Sequence, residues 1–422
     1  MLRNSSILVL IMLVVIGCSQ VSTNSFLRTP MVGIIQDNAV PILVKTTGYG
    51  KVRIEYMIEG DSRSSFTRRV FVSESNVYTA HLILSDLKPE TEYWYRVEFD
   101  KKHFSDWYKF TTFPVKGNPG VFSFVFGSGM REKWATPPVY ENIQNAAPTF
   151  VALMGDQMYS DYDGNVNTLE KYLANDSLRQ KRIDAGKKVL TETSVIDAFR
   201  GKYHRAFMES FQQMSSSTPI MGIWDDHDMG KNNNDSTYPY KAIAKTVFKE
   251  VYPRYPYEDE DGGLYYQFSI ADVDAFILDT RWYRSPMQHI DGPEKVMLGE
   301  VQMEWLKRGL KQSTAKFKII FSSVPFNDYG GDTSKGKPGA FDSWMGYKYA
   351  RDHLLSYIRE NQIKGVVVFG ADQHYPSAHI LNWELPISSV SQTNTSIEYS
   401  LTVLNQAVFD FSAGPFNNRR AI

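Results

Sequence analysis

Pro219-Ile220-Met221-Gly222-Ile223-Trp224-Asp225-Asp226-His227-Asp228-Met229-Gly230-Lys231-Asn232 is an apolar run that breaks abruptly into three carboxylates and an imidazole. An apolar run this short, ending at acidic and glycine punctuation, reads as a strand buried on both faces. The same grammar occurs twice more. Phe150-Val151-Ala152-Leu153-Met154 runs into Gly155-Asp156-Gln157-Met158-Tyr159-Ser160-Asp161, and Val366-Val367-Val368-Phe369-Gly370 runs into Ala371-Asp372-Gln373-His374. Further buried strands are read at 121–126, ending in Gly127-Ser128-Gly129, at 276–278 before Asp279, and at 317–321 before Ser322. Amphipathic helices are expected between them, including one near 136–146, so the body is α/β. The charged stretch 161–214 is expected to be mostly helical and to cover the strand ends.

In an open α/β sheet, ligands gather beyond the carboxyl ends of the strands. If these strands are neighbours, Asp156, the Asp225–Asp228 cluster, Asp372 and His374 meet at one rim. Carboxylates brought that close repel one another and are driven toward protonation unless cations neutralise them. A pair of metal ions resolves the conflict. The chain has one cysteine, Cys18, so no thiolate cluster is available. Hard oxygen and imidazole donors remain, which suit iron, manganese, zinc, calcium or magnesium.

Upstream the pattern changes. Stretches such as Val40-Pro41-Ile42-Leu43-Val44-Lys45 and Tyr93-Trp94-Tyr95-Arg96-Val97-Glu98-Phe99 are short strands separated by turn signals, predicting a β-sandwich over 31–114. Leu87-Lys88-Pro89-Glu90-Thr91-Glu92-Tyr93 resembles the fibronectin type III signature, in which a tyrosine pins a corner. A Pro/Gly-rich linker, 113–120, leads into the α/β body, which spans 119–422.

At the amino end, Arg3 precedes ten apolar residues, Ile7 to Ile16, followed by Gly17-Cys18. As a helix they would reach only about 15 Å, too short for a bilayer core of about 30 Å. A secretory signal fits. Val15-Ile16-Gly17-Cys18 resembles a bacterial lipobox, with Cys18 as the lipidated residue, residues 1–18 as signal peptide and 19–30 as tether. The expected location is the bacterial cell envelope, exported and anchored to the membrane through lipid on Cys18. Forty-six basic residues against 47 acidic ones leave a net charge of -1, so no phosphate-neutralising face for nucleic acid is evident. The chain is expected to be a monomer.

Taken in order, Phe126-Gly127-Ser128-Gly129, Gly155 to Asp161, Trp224 to Asn232, Leu278-Asp279-Thr280-Arg281-Trp282-Tyr283-Arg284, Leu298 to Leu306 and Ala371 to His374 resemble the alkaline phosphatase D (PhoD-type) metallophosphatases. That resemblance implies a calcineurin-like four-layer αββα core that hydrolyses phosphate mono- or diesters, so a phosphate-ester substrate is expected. It implies two divalent or mixed-valence metal ions (iron, calcium, manganese or zinc), with Asp156 as bridging ligand and Asn232, Asp372 and His374 as further ligands. His227, beside Asp226, is similar in setting to a histidine that protonates the leaving oxygen; the other reading is a structural hydrogen bond in the acidic turn. Arg281 is read either as a contact to a phosphate oxygen or as a buried partner of Asp279 or Asp226. Members of the family have a cysteine ligand after the first strand, where this chain has Gly129. The tyrosine expected before the second acidic motif falls at Phe199 or at a displaced Tyr203, and Tyr203 is read as facing substrate. Two rival readings follow: a degenerate phosphatase acting as a surface binding protein, or a purple acid phosphatase-like enzyme, which the Trp-Asp-Asp-His-Asp run opposes.

Overall fold

The computed structural model describes residues 25–35, 38–131, 137–162, 166–187, 189, 191–327, 342–381, 390–393, 396–399 and 408–417. Cys18 and the signal-like segment lie outside them.

The amino-terminal body is an antiparallel sandwich. Its strands are β1 (Met31–Val32), β2 (Val40–Lys45), β3 (Gly50–Ile58), β4 (Ser65–Phe66), β5 (Val70–Val72), β6 (Thr79–Leu84), β7 (Glu92–Phe99), β8 (His103–Phe104) and β9 (Tyr108–Thr111). One sheet has the order β1-β2-β6; the other is centred on the β3–β7 pair. Alternation sets the inner faces: Val52 and Ile54 on β3, with Tyr93, Tyr95 and Val97 on β7, are buried. Tyr93 Oη accepts the Lys88 N–H at 2.9 Å, pinning the turn before its own strand.

The second body has two sheets. Strands β10 (Phe124–Met130), β11 (Phe150–Met154) and β12 (Ile220–Ile223) are parallel, and β21 (Pro415–Asn417) adds to β10, giving the order β12-β11-β10-β21. The other sheet runs β13 (Tyr266–Ile270), β14 (Val273–Ile277), β15 (Phe317–Phe321), β16 (Val366–Gly370), β20 (Val408–Ser412) and β17 (Ser377–Leu381), antiparallel only at its two edges. A hairpin of β18 (Val390–Thr393) and β19 (Ser396–Tyr399) stands outside both sheets. The sheets face each other through edge-on aromatic contacts of Phe124 with Phe321 and Phe369, and of Phe126 with Phe369, at 4.8–5.7 Å between centroids.

Helices close the outer faces. On the four-stranded side, α1 (Pro137–Ala146), α4 (Glu192–Ala206), α5 (Glu209–Ser215) and α7 (Lys241–Val251) contribute Tyr140, Phe199, Phe211 and Phe248 to the core. On the six-stranded side, α8 (Gly299–Gln312) and α9 (Lys348–Glu360) set Trp305, Leu306, Leu354 and Ile358 against Phe276, Ile320 and Val368. The four-layer αββα expectation therefore holds, and the stretch 161–214 is helical as read, with α2 (Val166–Leu173) and α3 (Asp176–Asp184) preceding α4. No helix among the described residues is long and apolar enough to cross a membrane.

One boundary needs correction. The sequence reads 19–30 as a tether, yet residues 25–30 dock. Leu27 N–H bonds Lys45 O, Arg28 reaches Val251 O, and Thr29 Oγ1 donates to Gln212 O. Arg28 and Thr29 satisfy backbone carbonyls of the second body, an anchoring that composition does not reveal. Tyr95 Oη donates to Ser216 O at 2.7 Å, and a single apolar core continues from the sandwich into the four-stranded sheet.

Candidate metal centre

The site is built where β11, β12 and β16 end. Beyond β11, Gly155 has φ +88°, and a Cβ there would lie 2.4 Å from Asp225 Cβ, so only glycine lets the two strand ends approach. Asp156 follows with φ 55° and is 1 % exposed. Beyond β12, Asp225 caps the single turn α6 (Asp226–Met229). Asp228 is the knot of this region. Its carboxylate accepts the N–H groups of Asp156, Gln157 and Asp225 and the Tyr203 hydroxyl, at 2.5–3.2 Å. Burial pushes Asp228 up to about 7 against the pull of these donors.

Beyond β16, Asp372 and His374 both take left-handed backbone, φ 65° and 59°. Left-handed backbone at non-glycine residues costs about 1–3 kcal/mol each and persists only where the surroundings impose it. Three such residues, Asp156, Asp372 and His374, occur at one rim. The Asp372 N–H bonds Ser128 Oγ of β10 at 3.3 Å.

Ligand atoms converge in three overlapping groups, each within 4.8 Å: Asp156 with Asp226 and His227, Asp156 with Asp372 and His374, and Asp156 with Asp225, Asp226 and Asp372. Asp156 is common to all three. Two buried oxygens in this cluster, Asp156 Oδ1 and Asp225 Oδ2, have no hydrogen-bond partner. Buried carboxylate oxygens are almost always satisfied, so orphaned ones inside an oxygen- and imidazole-rich cage fit hard cations.

Electrostatics point the same way. Burial and the charges of Asp226, Asp225, Asp372 and Asp228 push Asp156 well above the carboxylate range. Asp372 is raised by burial and by Asp225, Asp342 and Asp226. Burial lifts Asp225 to about 6 although Arg281 opposes it. Burial also works against Asp226, but His227, Arg281 and the N–H groups of Asn233 and His227 outweigh it and hold that carboxyl low. His227 is raised: burial opposes its charge, while Asp226 and the bond to Asp161 prevail. Burial and the neighbouring His227 lower His374.

Of the residues singled out in the sequence, the fold brings together Asp156, Asp226, His227, Asp372 and His374. Asn232 borders the site with its side chain engaged elsewhere. It is exposed, its N–H donates to Asp161 Oδ2, and its amide turns to Asn233 Oδ1 at 2.7 Å. Arg281 does not face substrate: it is fully buried, and its Nε binds Asp225 Oδ1 at 2.5 Å. Its two terminal nitrogens grip Asp342 at 2.9 Å each. A buried ion pair was the other reading, though Asp225 and Asp342 are the main partners; Asp226 lies at 4.0 Å, and Asp279 accepts the Arg281 backbone N–H. Tyr203 likewise cannot meet substrate, being 1 % exposed with its hydroxyl committed to Asp228.

Gly129 lies on the wall of the cluster. With φ +64°, a Cβ there would point to within 3.5 Å of His374 Nε2. Two further site residues were overlooked. Tyr159 is buried, its ring 4.1 Å from His227 and its hydroxyl 3.4 Å from His374 Nε2. Asp161 holds His227 Nδ1 at 2.6 Å. Both occur in the motif that begins Gly155-Asp156, and the tyrosine three residues past the acid was the available signal. Asp342 had none, because it reaches Arg281 from 61 residues away.

Comparison with known proteins agrees with this architecture. Residues 124–418 match the PhoD-like phosphatase family, and residues 45–112 match the purple acid phosphatase N-terminal domain. Alkaline phosphatase D of Bacillus subtilis (strain 168) is 24% identical over 327 residues, 71% of this chain and 54% of that protein, so the chain spans about half the length of this curated relative. The solved structure of PhoD superposes with a TM-score of 0.72 at 19% identity, over 92% of this chain and 77% of the other. Purple acid phosphatase PPD1 from yellow lupin (Lupinus luteus) seeds gives 0.62 at 12% identity, over 92% and 65%. At those identities the likeness is one of fold. The family match, by contrast, runs from the first strand of the second body through the last, and the chain belongs to the PhoD-like phosphatase family.

Proposed function

We propose that this protein hydrolyses phosphate esters at a centre of two metal ions held by Asp156, Asp226, Asp372 and His374, with Asp156 shared. The observation that carries the proposal is the buried carboxylate cluster around Asp156, with two orphaned oxygens and no ion pair to Asp156 or Asp372 among the described residues. When bound, such cations lower the pKa of water and neutralise phosphoryl charge.

The chain's own groups supply the rest. Asp161 engages His227 Nδ1, which fixes the ring and leaves Nε2 as the working nitrogen. Asp161, bonded to Nδ1, favours the charged form of His227, which donates a proton from Nε2 to the leaving oxygen. Tyr159 packs on the imidazole and keeps water from that face. Asp228 and Arg281 bind no substrate; they fix the strand ends on which the cluster depends. Gly129 offers no side-chain ligand on the wall near His374, a feature that suits divalent cations better than a trivalent one, which favours anionic donors.

We also propose export and anchoring through lipid on Cys18, a reading supported by the sequence of the first eighteen residues. The catalytic reading is tested on purified protein by metal analysis beside hydrolysis of p-nitrophenyl phosphate and bis(p-nitrophenyl) phosphate. Activity is expected to vanish on chelation and to return with a particular cation among calcium, manganese, zinc and iron. Undiminished hydrolysis by the fully chelated protein would reject the metal centre. Stoichiometric metal without turnover would favour a binding protein on a degenerate site.

A further inference from the structure

With Arg281 buried beneath the cluster, a different cation must meet the substrate if any protein side chain does. We propose that Arg131 binds a non-bridging oxygen of the substrate phosphoryl group, using Tyr162 as the platform that holds its guanidinium. The inference rests on the phosphoesterase reading above and names a residue that reading leaves out.

The placement follows from the strand. β10 ends at Met130, whose N–H donates to Asp156 O at 2.7 Å, so the chain leaves the sheet at the acidic rim. Arg131 is the next residue and is half-buried, with its guanidinium carbon 4.2 Å from the centroid of the Tyr162 ring. Tyr162 in turn lies 5.5 Å from His227 and 5.6 Å from Tyr159, ring to ring. The buried Lys202 donates to Tyr162 O at 2.6 Å and fixes that backbone. The tyrosine is 40% exposed, so the stack sits beside the imidazole and reaches solvent.

The chemistry fits. A guanidinium stacked on an aromatic face keeps its planar fork of donors and is ordered before the ligand arrives. That fork matches phosphoryl oxygens, which a lysine meets only as a point charge. Arg284, another candidate, is buried on Asp342 and Tyr347.

The test compares Arg131→Ala, Arg131→Lys and Tyr162→Leu in the full chain with metal restored. Calorimetry reads the affinity for inorganic phosphate, and KM and kcat are measured for p-nitrophenyl phosphate. Arg131→Ala is expected to weaken phosphate binding and raise KM by about ten- to a hundredfold, the range for losing a hydrogen bond to a charged group. Metal content should not change. Arg131→Lys should fall between wild type and Ala, which keeps the test decisive should Ala fail to fold. Tyr162→Leu should show the same signature more weakly. A wild type that binds phosphate and turns over, with Arg131→Ala and Arg131→Lys indistinguishable from it, overturns this inference alone. A wild type that holds metal but neither binds phosphate nor hydrolyses esters overturns both the inference and the function.

Discussion

Replacing Asp156 by asparagine should make the metal-free protein more stable at neutral pH while abolishing its activity. Asp156 is 1 % exposed, and its Oδ1 has no partner to lose. Its carboxylate shares a group with Asp225, Asp226 and Asp372 in which ligand atoms lie within 4.8 Å of one another. At that separation and an effective dielectric of about 20, two unit charges repel by about 3 kcal/mol. Arg281 beside Asp225 and His227 beside Asp226 cancel part of this. An asparagine keeps the shape, removes one charge, and can donate its amide to a neighbouring carboxylate. The net gain in chelated protein is therefore about 2–3 kcal/mol.

The sign against pH follows from linkage. Asp156 is raised in the fold, as are Asp372, Asp225 and Asp228. A raised carboxyl contributes stability below its unfolded value near 4 and loses it as pH rises through the folded value. Asp225, at about 6, and Asp228, at about 7, lose theirs between about pH 4 and 7 in both proteins; the loss that the substitution removes is that of Asp156, which sets in near pH 4 and grows as pH rises toward its raised value. Asp226, which is depressed, runs the other way and offsets part of it. The advantage of Asp156→Asn over wild type should thus be present at pH 7.5 and absent near pH 4.5. Saturating divalent cation should reverse the order, because ligand at a thousand times its Kd stabilises the wild type by about 4.1 kcal/mol, more than the variant gains. Urea unfolding followed by tryptophan fluorescence, with chelator and with metal at each pH, reads all of this. A chelated Asn variant less stable than wild type at pH 7.5, or equal stabilisation of both proteins by metal, would refute the reasoning.

Arg281→Met should destabilise by about 3–5 kcal/mol, because it strands Asp225 and leaves Asp342 to Arg284 alone; a raised KM at unchanged denaturation midpoint would restore Arg281 to the substrate. Tyr203→Phe removes one of four donors to Asp228 and should cost about 1–2 kcal/mol in the same unfolding assay with KM unchanged. An altered KM would mean that Tyr203 meets substrate after all. In a bacterial host, the chain should carry labelled palmitate and sediment with membranes, and Cys18→Ala should lose both; label retained by the Ala variant would reject the anchor.

Much of the core was legible because parallel strands buried on both faces are unbroken apolar runs. Phe150–Met154, buried at every position, is readable to the residue for that reason; Val366–Gly370 is apolar though half-buried at Val367 and Phe369, and Phe317–Phe321 is readable despite Lys318 and an exposed Phe317. Pro415–Asn417 was not, since three residues added to β10 carry no periodicity of their own. At the site, Asp156, Asp372 and His374 stood out because each follows directly on such a run. Arg281 looked similar, sitting just beyond β14, but what decides its role is Asp342, and nothing local to either residue announces the pair. Residues 25–30 misled in the opposite sense: a polar, tether-like composition hides backbone and side-chain bonds to the second body.

The cluster also sets a limit that bears on what occupies it. A domain is stable by about 5–15 kcal/mol in all, so it cannot hold five mutually repelling, largely buried carboxylates in their charged forms without compensation. The fold compensates some of them itself. Asp228 is satisfied by three N–H groups and a phenol, Asp226 by two N–H groups and the neighbouring imidazole, and Asp225 at Oδ1 alone by Arg281 and Ser323, its Oδ2 having no partner. Asp156 and Asp372 have no ion pair among the described residues, and both hold left-handed backbone. Strain and charge that the protein leaves unbalanced at the same two side chains are best explained by a partner that arrives after folding. The three overlapping groups around Asp156 would suit a pair of cations as that partner.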